Sequence, residues 1–303
     1  MQALASGGQD IGPAANYARF HDAVAHAQLT QWLAELARRR ELLIDISGSA
    51  RPAEVAACAG HSVLRVVEPG PAGSPGASRG VEPPRGGMGA QGGNGGMGSP
   101  PMPGGPAGGN GGVEPPRGAE EPPSRTGRAP QGKYSGRLRT VAADGTGLEF
   151  LADGCAAGVI AEDRTLSRRL AAEPLVAEIA RVLRPGGQVL ACVDSLTLGM
   201  AVLAEQHRWS HLKDVPNADV VLVPWPDGTI TRCYGAEQLR ELFTSSGLEV
   251  SWIRPRTVFA PRTVSYLLAR DPGSFGKLVM AELRARSDDS VGAQLITCAR
   301  RLC

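Results

Sequence analysis

A glycine- and proline-rich segment from Pro69 to Lys133 limits the possible folds of this chain more than any other feature. It holds 21 of the 40 glycines and 14 of the 24 prolines in the 303 residues, and no aromatic residue. A segment so poor in large apolar groups cannot offset the entropy lost on ordering. We therefore expect a disordered insert at 69–133 inside one globular domain made of residues 1–68 and 134–303. A proline-rich docking arm is the alternative interpretation.

Composition and charge exclude several classes of protein. No run of about 18 apolar residues could span a membrane, and Met1–Gly12 lacks the basic and apolar regions of a signal peptide. A net charge of +2 gives no general case for binding nucleic acid. The six cysteines form no CxxC pair, which favours buried free thiols over zinc or disulfides. We expect a cytoplasmic protein without a membrane or nucleic-acid partner.

The first part of the chain has the pattern of a helix followed by a strand–helix–strand unit. Apolar residues recur at helical spacing from Tyr17 to Arg40, where three arginines favour a helix C-terminus. The apolar run Glu41–Ile46 predicts a buried strand, and Pro52 suits the first turn of the next helix. His61–Val67 predicts a second strand. This pattern indicates a parallel sheet.

Strand and helix patterns alternate again after the insert, which predicts a doubly wound α/β domain. Val220–Pro224 and Thr229–Tyr234 either pair as a hairpin or line an opening. The other expected strands are Arg137–Ala142, Cys155–Ala161, Gln188–Val193, Leu248–Ile253 and Val291–Ala299. The expected helices are Leu170–Leu183, Ala236–Ser245, Thr263–Ala269 and Phe275–Arg284.

Acidic residues follow the first four strands. They are Asp45, Glu68, Asp144, and the pair Glu162 and Asp163. Ligands of open parallel sheets bind beyond the carboxyl ends of the strands, so we expect these acids to converge on one crevice. Carboxylates there accept hydrogen bonds from ribose hydroxyls or amino groups and repel a pyrophosphate. The first turn lacks GxGxxG, which argues against a nicotinamide oxidoreductase.

Four segments resemble the class I S-adenosylmethionine-dependent methyltransferases. The most specific is Ile179–Leu190, with its helix, Arg-Pro-Gly-Gly turn and strand. The other three are Ala143–Gly145, Gly235–Ile253 and Val291–Arg300. The resemblance covers residues 17–68 and 136–301. It implies a Rossmann-like, seven-stranded, mostly parallel sheet, with an antiparallel last strand between strands five and six.

The resemblance also implies residue roles for S-adenosyl-L-methionine as cofactor. Asp45 and the turn Ser47-Gly48-Ser49 would approach the methionine moiety, and Glu68 would hold the ribose hydroxyls. Asp144 would accept from the adenine amine beside Gly145, while Glu162 and Asp163 would lie near the sulfonium and the substrate entrance. N-capping or loop solvation is the alternative role of Asp45 and Glu68, and a turn position before glycine is that of Asp144. This sequence departs from the family at Ser47, Ser49 and Arg51, where glycines are usual.

Methyl transfer is a direct displacement, so the enzyme aligns two reactants and removes a proton. The candidate bases are His207, His211 and Asp163, with Asp194 as a further one. The two histidines would share a helix face if Leu203–Leu212 is helical, but no HExxH accompanies them and we expect no metal. We predict a small-molecule methyltransferase in the bacterial cytoplasm, monomeric or homodimeric. The alternative is a methyltransferase-like interaction protein that has lost cofactor binding.

Overall fold

The computed structural model of the chain describes residues 13–36, 41–68, 136–143, 147–215, 218, 220–225, 227–284 and 291–302. All of these belong to one compact unit, whose two chain segments are Met1–Gly70 and Ala129–Cys303. The segment Pro69–Lys133, for which we predict disorder, lies outside the described residues, as do Asp144 and Gly145. No described helix is long and apolar enough to cross a bilayer.

Strands and helices alternate along the described chain. The strands are β1 (Leu42–Asp45), β2 (Ser62–Val67), β3 (Arg137–Ala142), β4 (Ala156–Ala161), β5 (Leu183–Ser195), β6 (Val221–Pro224), β7 (Ile230–Tyr234), β8 (Leu248–Arg256) and β9 (Gln294–Arg301). The helices are α1 (Pro13–Glu35), α2 (Arg51–Cys58), α3 (Glu173–Val182), α4 (Leu196–Glu205), α5 (Trp209–Asp214), α6 (Ala236–Thr244), α7 (Pro261–Arg270) and α8 (Phe275–Leu283).

Seven of these strands form the predicted sheet. Five run parallel in the order β3-β2-β1-β4-β5. The last strand, β9, runs antiparallel beside β5, with Asp194 opposite Gln294, and β8 pairs antiparallel with β9. The predicted fold class, a mostly parallel doubly wound sheet with an antiparallel last strand, is confirmed.

The strands β6 and β7 form an antiparallel hairpin beside this sheet. The hairpin joins β5 through Cys233 and Tyr234, which lie opposite Asp194 and Ser195. The hairpin interpretation is therefore confirmed, and it adds two strands to the seven that the resemblance implies. Its inner face packs against α4 in a separate hydrophobic cluster.

The middle of the central strand β4 is packed too closely for a residue larger than glycine. Every residue of β4 is buried, as expected for a parallel strand covered by helices on both faces. A β-carbon on Gly158 would lie 3.0 Å from side-chain atoms of both Leu43 and Trp32. Glycine is therefore needed here to let α1 and β1 pack closely against β4.

One helix ends earlier than expected, and the helix required for a shared histidine face is not formed. α1 ends at Glu35 instead of at about Arg40, and residues 37–40 lie outside the described residues. Leu203–Leu212 is not one helix, because α4 ends at Glu205 and His207 adopts a left-handed φ of 55°. That conformation ends regular helical hydrogen bonding.

The helix α1 takes part in two hydrophobic clusters. Its C-terminal half packs on the sheet through Leu29, Trp32 and Leu33. Its N-terminal half carries Phe20 and Val24 into a second cluster with α7 and α8, which we call the cap cluster. The cap cluster contains Val264, Leu268 and Leu278 from those two helices.

Candidate functional site

The turn after β1 is held by the carboxylate that ends the strand. Asp45 is fully buried, and its Oδ1 accepts a hydrogen bond from the backbone N–H of Ser47 at 3.0 Å. Its Oδ2 is buried with no hydrogen-bond partner among the described residues. Burial raises the pKa of Asp45 to about 6, against the hydrogen bonds from Ser47 that lower it. The buried Asp45 thus fixes the conformation of the turn through its hydrogen bond with Ser47.

Hydrogen bonds join this turn to the end of β4. The backbone N–H of Glu162 donates to Ser47 Oγ at 3.0 Å. The backbone N–H of Ser49 donates to Asp163 Oδ2 at 2.8 Å. Serine therefore does what glycine cannot do at position 47, because its hydroxyl accepts a bond that ties two strand ends together. The departure from the glycine-rich turn has a structural function here.

The carboxylate of Glu162 is engaged in a buried ion pair. Its oxygens accept from both terminal nitrogens of Arg256, at 2.7 and 2.9 Å, and the two residues are only 4% and 1% exposed. Arg256 Nε donates to Gln28 Oε1 of α1 at 2.6 Å. Paired and hydrogen-bonded charges of this kind are tolerated in an interior. Glu162, expected beside the sulfonium, is thus bound to β8 and α1.

A cleft of about 560 Å³ opens at the carboxyl ends of β1, β2 and β3, and we call it the β1–β3 cleft. Ser47, Gly48 and Glu68 line it together. Ala143 and Gly147 also line it, and they flank Asp144 and Gly145, which lie outside the described residues. The adenine-binding role of those two residues stays a prediction.

Three arginines line the β1–β3 cleft, and the sequence interpretation missed them. Arg169 Nη2 donates to Glu68 Oε1 at 2.8 Å. Arg168 Nη1 lies 3.2 Å from the position that a β-carbon on Gly48 would take. Arg65 Nε is buried without a hydrogen-bond partner among the described residues. The run Arg164–Arg169, directly after the end of β4, was the available signal.

A second, smaller cavity of about 70 Å³ lies between α1, α2 and the ends of β4 and β5, and we call it the α1–α2 cavity. Its wall includes Ser49, Glu162 and Asp163. Glu68 lines the cleft, whereas Asp45 lines neither the cleft nor the cavity. The strand-end acids that the structure describes therefore do not converge on one crevice. The turn Gly48–Ser49 lies between the cleft and the cavity, since Gly48 lines the first and Ser49 lines the second.

The backbone is strained where β4 ends beside this turn. Asp163 and Arg164 both have left-handed φ angles, of 57° and 62°. Consecutive left-handed residues other than glycine are uncommon, and such strain concentrates at functional sites. The strained turn directs the Asp163 side chain toward Ser49 and that of Arg164 toward Asp194, at 3.4 Å. Asp194 is fully buried, and burial raises its pKa.

The two candidate histidines lie away from both cavities. His207 and His211 are exposed, and they belong to different elements because the helix is broken between them. The predicted shared face is therefore wrong. Among the described residues, no group of three or more histidine, cysteine or acidic side chains could hold a metal ion.

Comparisons with known proteins return similarities in fold. No family model matches the sequence, and no curated protein matches it. The chain is similar to a SAM-dependent methyltransferase from Methanosarcina mazei, at 13% identity and a TM-score of 0.45 over 89% of this chain and 96% of that one. A 1,6-didemethyltoxoflavin-N1-methyltransferase from Burkholderia thailandensis, solved with S-adenosylhomocysteine, is 16% identical with a TM-score of 0.44, covering 95% and 80%. A putative methyltransferase from Bacillus halodurans is 12% identical, with a TM-score of 0.44 over 92% and 99%.

The strand order is the observation that decides the fold. Five parallel strands are followed by an antiparallel strand placed between β5 and β8, the arrangement that the sequence resemblance implies. The chain therefore has a Rossmann-like fold with this strand order. A fold alone does not fix a reaction, so function has to be argued from the two cavities.

Proposed function

We propose that this chain is an S-adenosylmethionine-dependent methyltransferase that transfers a methyl group directly to a small-molecule acceptor. One observation carries the proposal: a large cleft and a small cavity lie on the two sides of the Gly48–Ser49 turn. Direct transfer needs two ligands that meet at one point. The cleft is large enough for the cofactor, and the cavity is large enough for only a small reacting group.

The residues of the β1–β3 cleft fit S-adenosylmethionine chemically. The Glu68 carboxylate ends β2, where an acid suits a ribose diol, and its side chain is 70% exposed. The guanidinium of Arg168 lies over Gly48, where it can pair with the cofactor carboxylate. When bound, the cofactor supplies an electrophilic methyl group on its sulfonium sulfur. Ser47 and Gly48 position the turn, and Asp163 faces the junction of the two ligands.

The proposed role of this chain is alignment more than proton chemistry. The hydrogen bonds from Ser49 to Asp163 and from Glu162 to Ser47 hold the turn after β1 against the end of β4, between the cleft and the cavity. Asp163 is the candidate proton acceptor, because it lines the α1–α2 cavity, whereas His207 and His211 do not. The proposal keeps the cytoplasmic location and the monomeric or homodimeric state expected from the sequence.

Calorimetric titration with S-adenosylhomocysteine tests the cofactor. We expect micromolar binding to the wild type and about tenfold weaker binding to Glu68→Gln, because hydrogen bonds to a charged group are worth about 1.5–3 kcal/mol. Glu237→Gln, an exposed acid on α6, is the matched control and should bind as the wild type does. Absence of binding at millimolar ligand would refute the proposal.

An interaction protein with the same fold but without a cofactor is the second candidate. The Glu68–Arg169 pair favours it, because Arg169 already occupies an oxygen of the carboxylate that would hold the ribose. The same titration separates the two candidates. Exposed ion pairs are worth at most about 1 kcal/mol, so the pair alone does not prevent the cofactor from binding.

A further inference from the structure

The α1–α2 cavity adjoins a groove on the surface. This groove lies between α1 and α2 and shares His26, Arg51 and Val55 with the wall of the cavity. The groove widens to about 650 Å³ outside, whereas the cavity itself holds only about 70 Å³. A ligand can therefore place a small reactive end inside while the rest of it stays in the groove.

The polar groups of the cavity wall are bound mostly to one another. Asp22 of α1 pairs with Arg51 of α2, and the Glu162–Arg256 pair lies at the inner end. His21 Nε2 lies 3.0 Å from Gln294 Oε1. The two ion pairs engage four of the five acidic and arginine side chains of the wall, with one exception.

Asp163 is that exception. It accepts from the Ser49 backbone, but no described cation pairs with its carboxylate. Three acids and two arginines line the cavity, so the wall has an excess of one negative charge. The thiol of Cys192 at the inner end is neutral, because burial raises its pKa to about 12. Charge complementarity therefore favours a ligand with one positive charge.

We propose that the α1–α2 cavity binds the acceptor, and that the acceptor is a small primary or secondary amine. This inference rests on the proposed methyltransferase function. The ammonium form enters along the groove and pairs with Asp163, which is hydrogen-bonded to Ser49 in the turn between the cavity and the β1–β3 cleft. Apolar residues from both helices surround the carbon next to the nitrogen, namely Ala25, Leu29, Pro52 and Val55.

The reaction balances with the groups present. The ammonium first loses a proton to Asp163 or to water, which frees the nitrogen lone pair. That pair forms the bond to the methyl carbon while the carbon–sulfur bond breaks, and its electrons stay on the sulfur of S-adenosylhomocysteine. The methylated ammonium then leaves with its positive charge.

Other acceptor classes fit this wall less well. A carboxylate or phenolate acceptor would meet the uncompensated charge of Asp163 and be repelled. An aliphatic hydroxyl keeps its proton at neutral pH and needs a strong base. Cys192 and the paired acids cannot supply one, because the thiol is protonated and the acids already accept from arginines.

Butylamine, butanol and butyrate form a matched set of probes. We expect calorimetry on the complex with S-adenosylhomocysteine to give butylamine at least about tenfold tighter binding than the other two, the size of one charge-assisted contact. In Asp163→Asn, which keeps an acceptor for Ser49, this preference should fall to about twofold or less. Ala25→Trp should remove binding of all three probes by filling the cavity.

Asp214→Asn is the matched control, since this exposed acid on α5 lines neither cavity. Equal binding of the three probes to the wild type would overturn the inference, as would a preference unchanged by Asp163→Asn. The titrations are repeated without S-adenosylhomocysteine. If that ligand does not bind but the amine preference remains, the cofactor assignment fails and the amine cavity stands. If S-adenosylhomocysteine binds but the amine preference is absent, the cofactor assignment stands and the inference of an amine acceptor fails.

Discussion

The buried pair of Glu162 and Arg256 gives the sharpest test of how the site is built. Glu162→Gln removes the negative charge and leaves one donor facing a guanidinium that is 1% exposed. Breaking a buried pair by changing one partner costs about 3–5 kcal/mol. With a urea m-value of about 2–3 kcal/mol per molar, the unfolding midpoint should fall by about 1–2 M, measured by circular dichroism.

Two further variants make this measurement decisive. The double variant Glu162→Leu with Arg256→Met should be more stable than Glu162→Gln, because it leaves no unpaired charge. Glu249→Gln breaks the pair with Arg300, whose members are about half exposed, and should cost at most about 1 kcal/mol. A Glu162→Gln midpoint equal to that of Glu249→Gln would refute the reasoning. If Glu162 acts only through this pair, folded Glu162→Gln should still bind S-adenosylhomocysteine normally.

Three more outcomes follow from the site. Arg168→Gln should weaken S-adenosylhomocysteine about three- to tenfold but leave 5′-methylthioadenosine, which lacks the carboxylate, unchanged in calorimetry; equal losses would contradict the assigned contact. The pKa of Asp45 is raised from 3.8 to about 6, so the folded state binds this proton more tightly and stability should fall as pH rises from about 4 to 6. Asp45→Asn should remove this contribution to the fall and raise the free energy of unfolding at pH 7 by about 1–3 kcal/mol. Urea unfolding of the wild type and the variant at pH 4 and 7 checks this, and a variant less stable than the wild type at pH 7 would contradict it. His207→Ala and His211→Ala should leave the rate of methyl transfer unchanged, and a large loss in either would return that histidine to the site.

Much of the fold could be predicted because local patterns determine it. The apolar runs of β1, β2 and β4, and the Pro-Gly-Gly turn before the main part of β5, can be recognised without knowledge of their partners. The helix over Leu203–Leu212, on which a shared face of His207 and His211 depended, does not form, because the sequence pattern does not reveal a left-handed residue such as His207. Helical spacing continues through such a point while the backbone does not.

The site was less predictable because its partners are far apart in sequence. Arg256 reaches Glu162 across 94 residues, and Arg169 reaches Glu68 across 101. No spacing rule connects such residues, since the strand order that brings them together is itself a long-range property. The strand-end acids could be found from the sequence, but it could not be predicted which arginines pair with them.

The division of α1 between two hydrophobic clusters has a consequence for local opening. The cap cluster shares no buried side chain with the cluster that joins α1 to the sheet. Native proteins open in cooperative units whose free energies lie below that of global unfolding. The first turns of α1, with α7 and α8, should therefore exchange their amide hydrogens as one group, faster than Leu29–Leu33. His21, Asp22 and Ala25, which line the α1–α2 cavity, lie in this part of α1. Opening of the cap cluster should therefore also open that cavity while the sheet stays folded.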